Sequence, residues 1–291
     1  MSDDIAVQMT SVSMRYGDIV ALDDVSLSCQ RGEAISVLGP NGAGKSTAIG
    51  VMTGLRRPHK GRALIFGQNP RQPHARRLAG CAPQEASFPH ATRVIELLRF
   101  ARTHFDRRSD LEELLCTFGI EEHRNRLAIE LSGGQQRRLA LALAFCGLPD
   151  IVFLDEPTTG VDAKHRNSIW NYIREFKSEG GSLILTTHQL EEAETLSDRI
   201  CVLRDGRIIR NGTVSEIKKE VGVRVVRFDC ARAPTFSNAE CLSEEGARKT
   251  FISADADQTV RELVCSAIDF HDLEVLPASL EQAISQILET S

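Results

Sequence analysis

The run Gly39-Pro40-Asn41-Gly42-Ala43-Gly44-Lys45-Ser46-Thr47 constrains this chain more than any other stretch. It follows the pattern G-x-x-x-x-G-K-[ST] of a phosphate-binding loop. The apolar run Ala34-Ile35-Ser36-Val37-Leu38 before it reads as a buried strand, and residues 46–53 after it read as a helix closed by Gly54. Between two such elements, glycines let consecutive backbone N–H groups turn inward around a phosphate, and the helix N-terminus adds its positive dipole. Lys45 is placed to reach the β/γ-phosphates, and the Ser46 hydroxyl to hold Mg²⁺. A glycine turn that matched the pattern by accident would lack that strand and that helix. The sequence predicts a nucleoside triphosphate site in an α/β fold with a mostly parallel central sheet.

The length of 291 residues leaves room for one large α/β core and a smaller second unit. A hydrophobic content of 42% with 26% charged residues is ordinary for a soluble globular protein. The net charge of -5 argues against a nucleic-acid partner, which calls for a basic field. A local basic cluster does occur, at Arg56, Arg57, Lys60 and Arg62 and then at Arg71, Arg76 and Arg77. It reads as a solvated surface, with contact to anionic lipid heads as the alternative. The cysteines form no C-x-x-C pair, so neither a zinc site nor a redox motif is indicated, and buried free thiols in a reducing cytosol account for them. The acidic start Met1-Ser2-Asp3-Asp4 carries no signal-peptide pattern. The longest apolar run, 139–148, is too short to span a bilayer and stops at Pro149-Asp150. Any work at a membrane is expected to go through a partner.

Residues 5–38 alternate apolar and polar positions with short turns, which predicts antiparallel strands leading into the loop strand. Short strands are expected at 62–66 and 78–82, and helical periodicity runs over 92–118 and 135–146. Strands at 151–154 and 182–186 alternate with helices at 164–177 and 189–196. A hairpin over 199–209 turns at Asp205-Gly206, and Thr213-Val214-Ser215-Glu216 is a capping box. This describes a cassette over 1–221 with a parallel sheet, an antiparallel β subdomain and a helical subdomain at about 85–147. Residues 222–291 read as a small accessory domain, α/β or helical. A strand is expected at 223–228, a loop at 231–246, a strand at 251–253, and helices at 258–267 and 280–289.

Two further motifs carry chemistry. Leu131-Ser132-Gly133-Gly134-Gln135 contains a capping box, Ser132-x-x-Gln135, and could simply start a helix. A cap does not need two glycines, whereas a second phosphate-contacting surface does. The apolar strand 151–154 ends in Asp155 and Glu156. One carboxylate there would hold Mg²⁺ with Ser46, and the second can orient and deprotonate a water.

Over about residues 5–220, these motifs in this order resemble the ATP-binding cassette ATPases. The resemblance implies that Tyr16 stacks on adenine and that Gln84, in Ala82-Pro83-Gln84, contacts Mg²⁺ or the attacking water. It makes Asp155 the Mg²⁺-binding acid, Glu156 the general base and His188 the histidine that senses the γ-phosphate. Asp162, in Gly160-Val161-Asp162, resembles a loop that crosses the dimer interface, and a helix N-cap is its competing or second job. In that family two cassettes pair head to tail, with ATP between the 39–47 loop of one copy and residues 132–135 of the other. The segments His188-Gln189-Leu190-Glu191-Glu192-Ala193-Glu194 and Pro277-Ala278-Ser279-Leu280-Glu281 are similar to bacterial drug- and antibiotic-efflux ATPase subunits. The implied protein is an ATP-hydrolysing homodimer on the inner face of the cell membrane, driving a separately encoded permease that exports drugs or small amphiphiles. A regulatory cassette ATPase with no membrane partner is the alternative. Some of Val94, Leu97, Leu98 and Phe100 are expected to stay exposed as a groove for a permease helix, rimmed by Arg93, Arg99 and Arg102.

Overall fold

A computed structural model describes residues 4–220, 224–232, 234–266, 268–277 and 279–290. The chain divides into two units, Met1–Asn211 and Gly212–Ser291. The boundary expected at residues 221 and 222 lies outside the described residues, as do Val223, Ala233, Ala267 and Ala278 within or beside the expected elements.

The first unit opens with a hairpin, β1 (Ile5–Tyr16) and β2 (Ile19–Gln30), followed by β3 (Ala34–Leu38), α1 (Lys45–Met52) and β4 (Lys60–Ile65). β1 pairs antiparallel with both β2 and β4, giving a three-stranded sheet in the order β2-β1-β4. Then come α2 (Pro73–Arg77), β5 (Ala79–Ala82), α3 (Val94–Arg102), α4 (Leu111–Thr117), α5 (Gly133–Phe145) and β6 (Ile151–Asp155). α6 (Ala163–Ser178), β7 (Ser182–Thr186), α7 (Leu190–Leu196), β8 (Arg199–Arg204) and β9 (Arg207–Thr213) follow. A six-stranded sheet runs β5-β6-β7-β3-β8-β9, with its first five strands parallel to one another.

Every position of β3, β6 and β7 is buried because both faces of the sheet are covered. The side chains still alternate between two cores. Ile35, Val37, Ile151, Phe153 and Ile184 join Leu22, Ile49 and Met52 on the side of α1 and the antiparallel sheet. Val152, Leu154, Leu183 and Leu185 meet Leu141, Phe145, Ile169 and Ile173 from α5 and α6. Each such side chain contributes about 1.5–3 kcal/mol on removal from water. This burial holds the strand ends that carry the site in fixed register.

The helical stretch expected over 92–118 is two helices. α3 ends at Thr103, and α4 starts afresh at Asp110, whose carboxylate accepts from the backbone N–H of Glu112 and Glu113. Of the four apolar positions expected to stay exposed in part, the structure leaves chiefly Phe100 so. Val94 and Leu98 are fully buried and Leu97 packs partly buried against the same core, whereas Phe100 projects at 66% exposure. One helical stripe takes most of these apolar side chains into the core.

The second unit holds α8 (Val214–Glu220), β10 (Arg224–Cys230), β11 (Ala239–Glu245), β12 (Arg248–Ser253), α9 (Ala256–Cys265), β13 (Phe270–Pro277) and α10 (Leu280–Thr290). Its strands form an antiparallel sheet, β11-β12-β10-β13, on which Leu263 of α9 joins Val226, Phe228, Phe236 and Phe251. Phe228 and Phe251 stack with ring centroids 5.6 Å apart. The loop expected at 231–246 therefore contains a strand, and β13 is a further strand that the sequence reading did not anticipate. Both are edge strands, exposed along nearly their whole length, so neither shows the apolar alternation by which a half-buried strand is recognised. Among the described residues, no helix is long and apolar enough to cross a membrane.

Candidate active site

Four neighbouring strands build the site. In spatial order β5, β6, β7 and β3, their carboxyl ends lead to Gln84, to Asp155-Glu156, to Thr186 and His188, and to the 39–47 loop. Ligands of open parallel sheets bind at such strand ends, where the order of strands reverses around the first one.

The loop leaves β3 at Gly39 and enters α1 after Gly44, with φ of 152° and 103°. A Cβ at Gly39 would collide with the Leu203 carbonyl, and one at Gly44 with the Ala21 carbonyl. Backbone angle and close approach thus both exclude a larger residue. Pro40, Asn41, Gly42 and Ser46 are exposed, Gly39, Gly44 and Thr47 half-buried, and Ala43 buried. Lys45 is buried and folds back on the loop, its Nζ donating to the Gly39 carbonyl at 2.7 Å and the Pro40 carbonyl at 2.9 Å. Burial holds its pKa below the ordinary lysine value, and the Glu156 and Asp155 carboxylates pull it back up.

At the end of β6, the Thr186 hydroxyl donates to the buried Asp155 carboxylate. The next residue turns sharply. Glu156 has a φ of 55°, a strained value for a residue with a side chain, fixed by its N–H donating to the Thr186 carbonyl at 2.9 Å. The turn aims its carboxylate between three groups from separate segments. Gln84 Nε2 and Thr159 Oγ1 donate to it, each at 3.3 Å, and His188 Nδ1 lies 3.5 Å away. Gln84, Glu156 and His188, far apart in sequence, meet here.

Arg137, on α5, went unnoticed in the sequence. Its buried guanidinium donates to the Glu156 and Gln84 carbonyls, each at 3.1 Å, and also reaches the carbonyls of Pro83 and Asp155. One side chain ties the backbone on which Gln84 is carried to that on which Glu156 is carried. Burial holds its pKa below the usual arginine value. The available signal was an arginine pair at the head of an otherwise apolar helical run. Glu192, also unassigned, is buried and accepts from Thr158 Oγ1 at 2.7 Å and Trp170 Nε1 at 3.1 Å.

Ser132 is indeed the N-cap of α5: its N–H donates to Gln135 Oε1 at 2.9 Å, and its hydroxyl accepts from the Gln135 N–H at 3.4 Å. Ser132 and Gly133 are exposed, and nothing stands within 4 Å of where a Gly133 Cβ would be. A Cβ at Gly134 would lie 2.7 Å from the Gly160 carbonyl, so the start of α5 packs on the segment leading to Asp162. Asp162 caps α6 and accepts from the His165 N–H at 3.1 Å and, through its other oxygen, from the His165 ring at 2.7 Å. Those two bonds, the ring's first, hold its carboxyl below the usual range. Tyr16 ends β1 at 40% exposure, with the Arg56 guanidinium 5.1 Å over its ring and donating to its hydroxyl. Hydrogen bonds of residues 132–135 stay local, within α5 and its cap and from Gln135 Nε2 to His123 at 2.8 Å, and none reaches the 39–47 loop among the described residues.

The ABC transporter family matches residues 22–159. DrrA of Streptomyces peucetius, a daunorubicin/doxorubicin resistance ATP-binding protein, is 36% identical over 261 residues, 87% of this chain and 79% of its own length. The chain belongs to the ABC transporter ATPase family. Nod factor export ATP-binding protein I of Cupriavidus metallidurans is 38% identical over 228 residues, covering 76% of this cassette protein and 75% of the relative. Among solved structures, an ATP-binding subunit of an ABC transporter matches with a TM-score of 0.70 at 28% identity, over 75% of this chain and 93% of that one. A dimeric ATP-binding cassette in a post-hydrolysis state, bound to ADP and Pi, matches with a TM-score of 0.64 at 26% identity, over 71% and 98%. The fold is that of a P-loop ATPase cassette.

Proposed function

We propose that this ATPase binds ATP with Mg²⁺ between its own 39–47 loop and residues 132–135 of a second copy. Hydrolysis there drives a separately encoded membrane permease that exports drugs or other small amphiphiles. The observation that carries the catalytic reading is the Glu156 carboxylate, aimed by a strained turn between Gln84, Thr159 and His188. In that position it accepts the proton of an attacking water, which Gln84 helps to orient, while His188 faces the phosphoryl oxygens.

Ser46, Asp155 and Gln84 offer a hydroxyl, a carboxylate and an amide oxygen, the hard oxygen donors that suit Mg²⁺. Gln84 uses its NH₂ on Glu156, which turns its carbonyl oxygen away from that carboxylate. The ion, when bound, supplies charge neutralisation on the phosphates. Lys45 exchanges its two loop carbonyls for phosphate oxygens, Tyr16 offers its ring to adenine, and the open face of Ser132-Gly133-Gly134-Gln135 meets the nucleotide held by the other copy. Asp162 stands on the segment packed against Gly134, beside the exposed Ser132 and Gly133. The exported class rests on the drug-resistance and Nod factor export relatives.

Glu156→Gln is expected to bind ATP as the parent does, to hydrolyse it at least about a hundredfold more slowly and to accumulate as an ATP-bound dimer on gel filtration. Lys45→Ala is expected to weaken nucleotide binding itself. Full ATPase activity in Glu156→Gln would overturn the assignment of the base. Copurification with an integral membrane protein tests the permease.

A further inference from the structure

The basic cluster found in the sequence folds into a cavity. The turn after α1, β4 and the turn at residues 69–71 enclose about 520 Å³, walled by Arg56, Arg57, His59, Lys60, Arg62 and Arg71 and by no Asp or Glu. The whole chain carries 40 acidic residues against 35 basic ones, so this wall is opposite in sign to the molecule. Arg57, Lys60, Arg62 and Arg71 enter no ion pair among the described residues, although other surface arginines, such as Arg107 and Arg124, find carboxylates. The cavity is also preformed. At Gly54 the chain lies so close to the 70–71 backbone that a Cβ would stand 2.8 Å from the Pro70 carbonyl carbon. Asn69 Oδ1 accepts from the Arg71 N–H at 3.0 Å and closes the turn that presents Arg71.

Unpaired cations around one concavity repel one another and focus a positive field into it. Guanidinium forks match the oxygens of phosphate and carboxylate groups, and here several line one concavity. We propose that this cavity binds a phosphate-bearing anion, either the phosphate of an anionic phospholipid headgroup or a free diphosphate or polyphosphate. It is separate from the 39–47 loop, and Arg56 of its wall reaches Tyr16.

The test uses the full chain and the pair Arg57→Glu/Arg71→Glu, which leaves Arg56 and the nucleotide loop untouched. One arm measures flotation with phosphatidylglycerol/phosphatidylcholine vesicles. The other titrates inorganic pyrophosphate by calorimetry in a Lys45→Ala background, where the nucleotide loop no longer competes. The expected result is salt-sensitive binding in at least one arm, weakened at least about tenfold by the paired reversal. Arg57→Gln/Arg71→Gln should show a smaller loss in the same arm. The arm that responds names the source of the phosphate. Steady-state ATPase activity of the reversal in the otherwise unmodified chain is expected within about twofold of the parent, because neither residue touches the site. Absence of binding in both arms, or binding that the reversal leaves unchanged, overturns the proposal.

Discussion

Replacing Arg137 by Met asks how much the backbone brace beneath the site is worth. The guanidinium supplies donors to four carbonyls, those of Pro83, Gln84, Asp155 and Glu156. The first two lie in a partly exposed segment and can take water instead. The Asp155 and Glu156 carbonyls are enclosed, and each buried acceptor left without a donor costs about 1–3 kcal/mol, or about 2–6 kcal/mol for both. Against that, a buried guanidinium is no longer desolvated, which offsets part of the loss. The net expectation is about 3 kcal/mol, the low end for breaking a buried charged contact. Arg137→Lys keeps the charge but has a single ammonium in place of the fork, so its loss should be intermediate. The assay is chemical denaturation followed by fluorescence of Trp170, the only tryptophan and a buried one in the same core as Arg137's helix. ATPase activity at a temperature where the variant is folded should fall as well, because the segments carrying Gln84 and Glu156 lose their shared brace. A stability within about 0.5 kcal/mol of the parent would refute the reasoning, since that is the range of an ordinary surface substitution.

Burial holds the Glu192 carboxyl above its ordinary pKa, against the opposing hydrogen bonds to it. The folded state therefore binds this proton more tightly than the unfolded chain, so Glu192 adds stability below the unfolded carboxylate pKa of about 4.3 and loses it as pH rises through the folded value. Glu192→Gln should gain on the parent over that interval in denaturation curves, and a difference that stays flat with pH would contradict the assignment. Leu98→Asp should lower the melting temperature sharply or prevent folding, because it puts a charge into the core under α3. Phe100→Asp should melt within about 2 °C of the parent, as an exposed site. If that projecting ring is a permease contact, Phe100→Asp is also expected to reduce pull-down of the permease, and undiminished pull-down would place the contact elsewhere.

The sequence by itself determined the features that rest on neighbours along the chain. The 39–47 loop, the strand ending in Asp155-Glu156 and the caps at Ser132 and Thr213 are short-range patterns, and the backbone geometry they require follows from a few adjacent residues. The apolar runs of β3, β6 and β7 announced a sheet covered on both faces, because a strand exposed on one side would have alternated. Only the tertiary structure decided which strand ends meet. The order β5-β6-β7-β3 brings Gln84 and His188 to Glu156, and no spacing along the chain encodes that order. It also decided what Arg137 does, since a buried arginine shows its purpose only through the carbonyls folded around it. It assigned Leu98 to the core and Phe100 to the surface, a difference in helical phase that a short apolar run leaves ambiguous. The edge strands β11 and β13 escaped the sequence for a related reason: they bury almost nothing, and their strand conformation comes from hydrogen bonds to β12 and β10. Burial writes itself into sequence as hydrophobic pattern, whereas the backbone pairing of an exposed edge strand leaves no such trace.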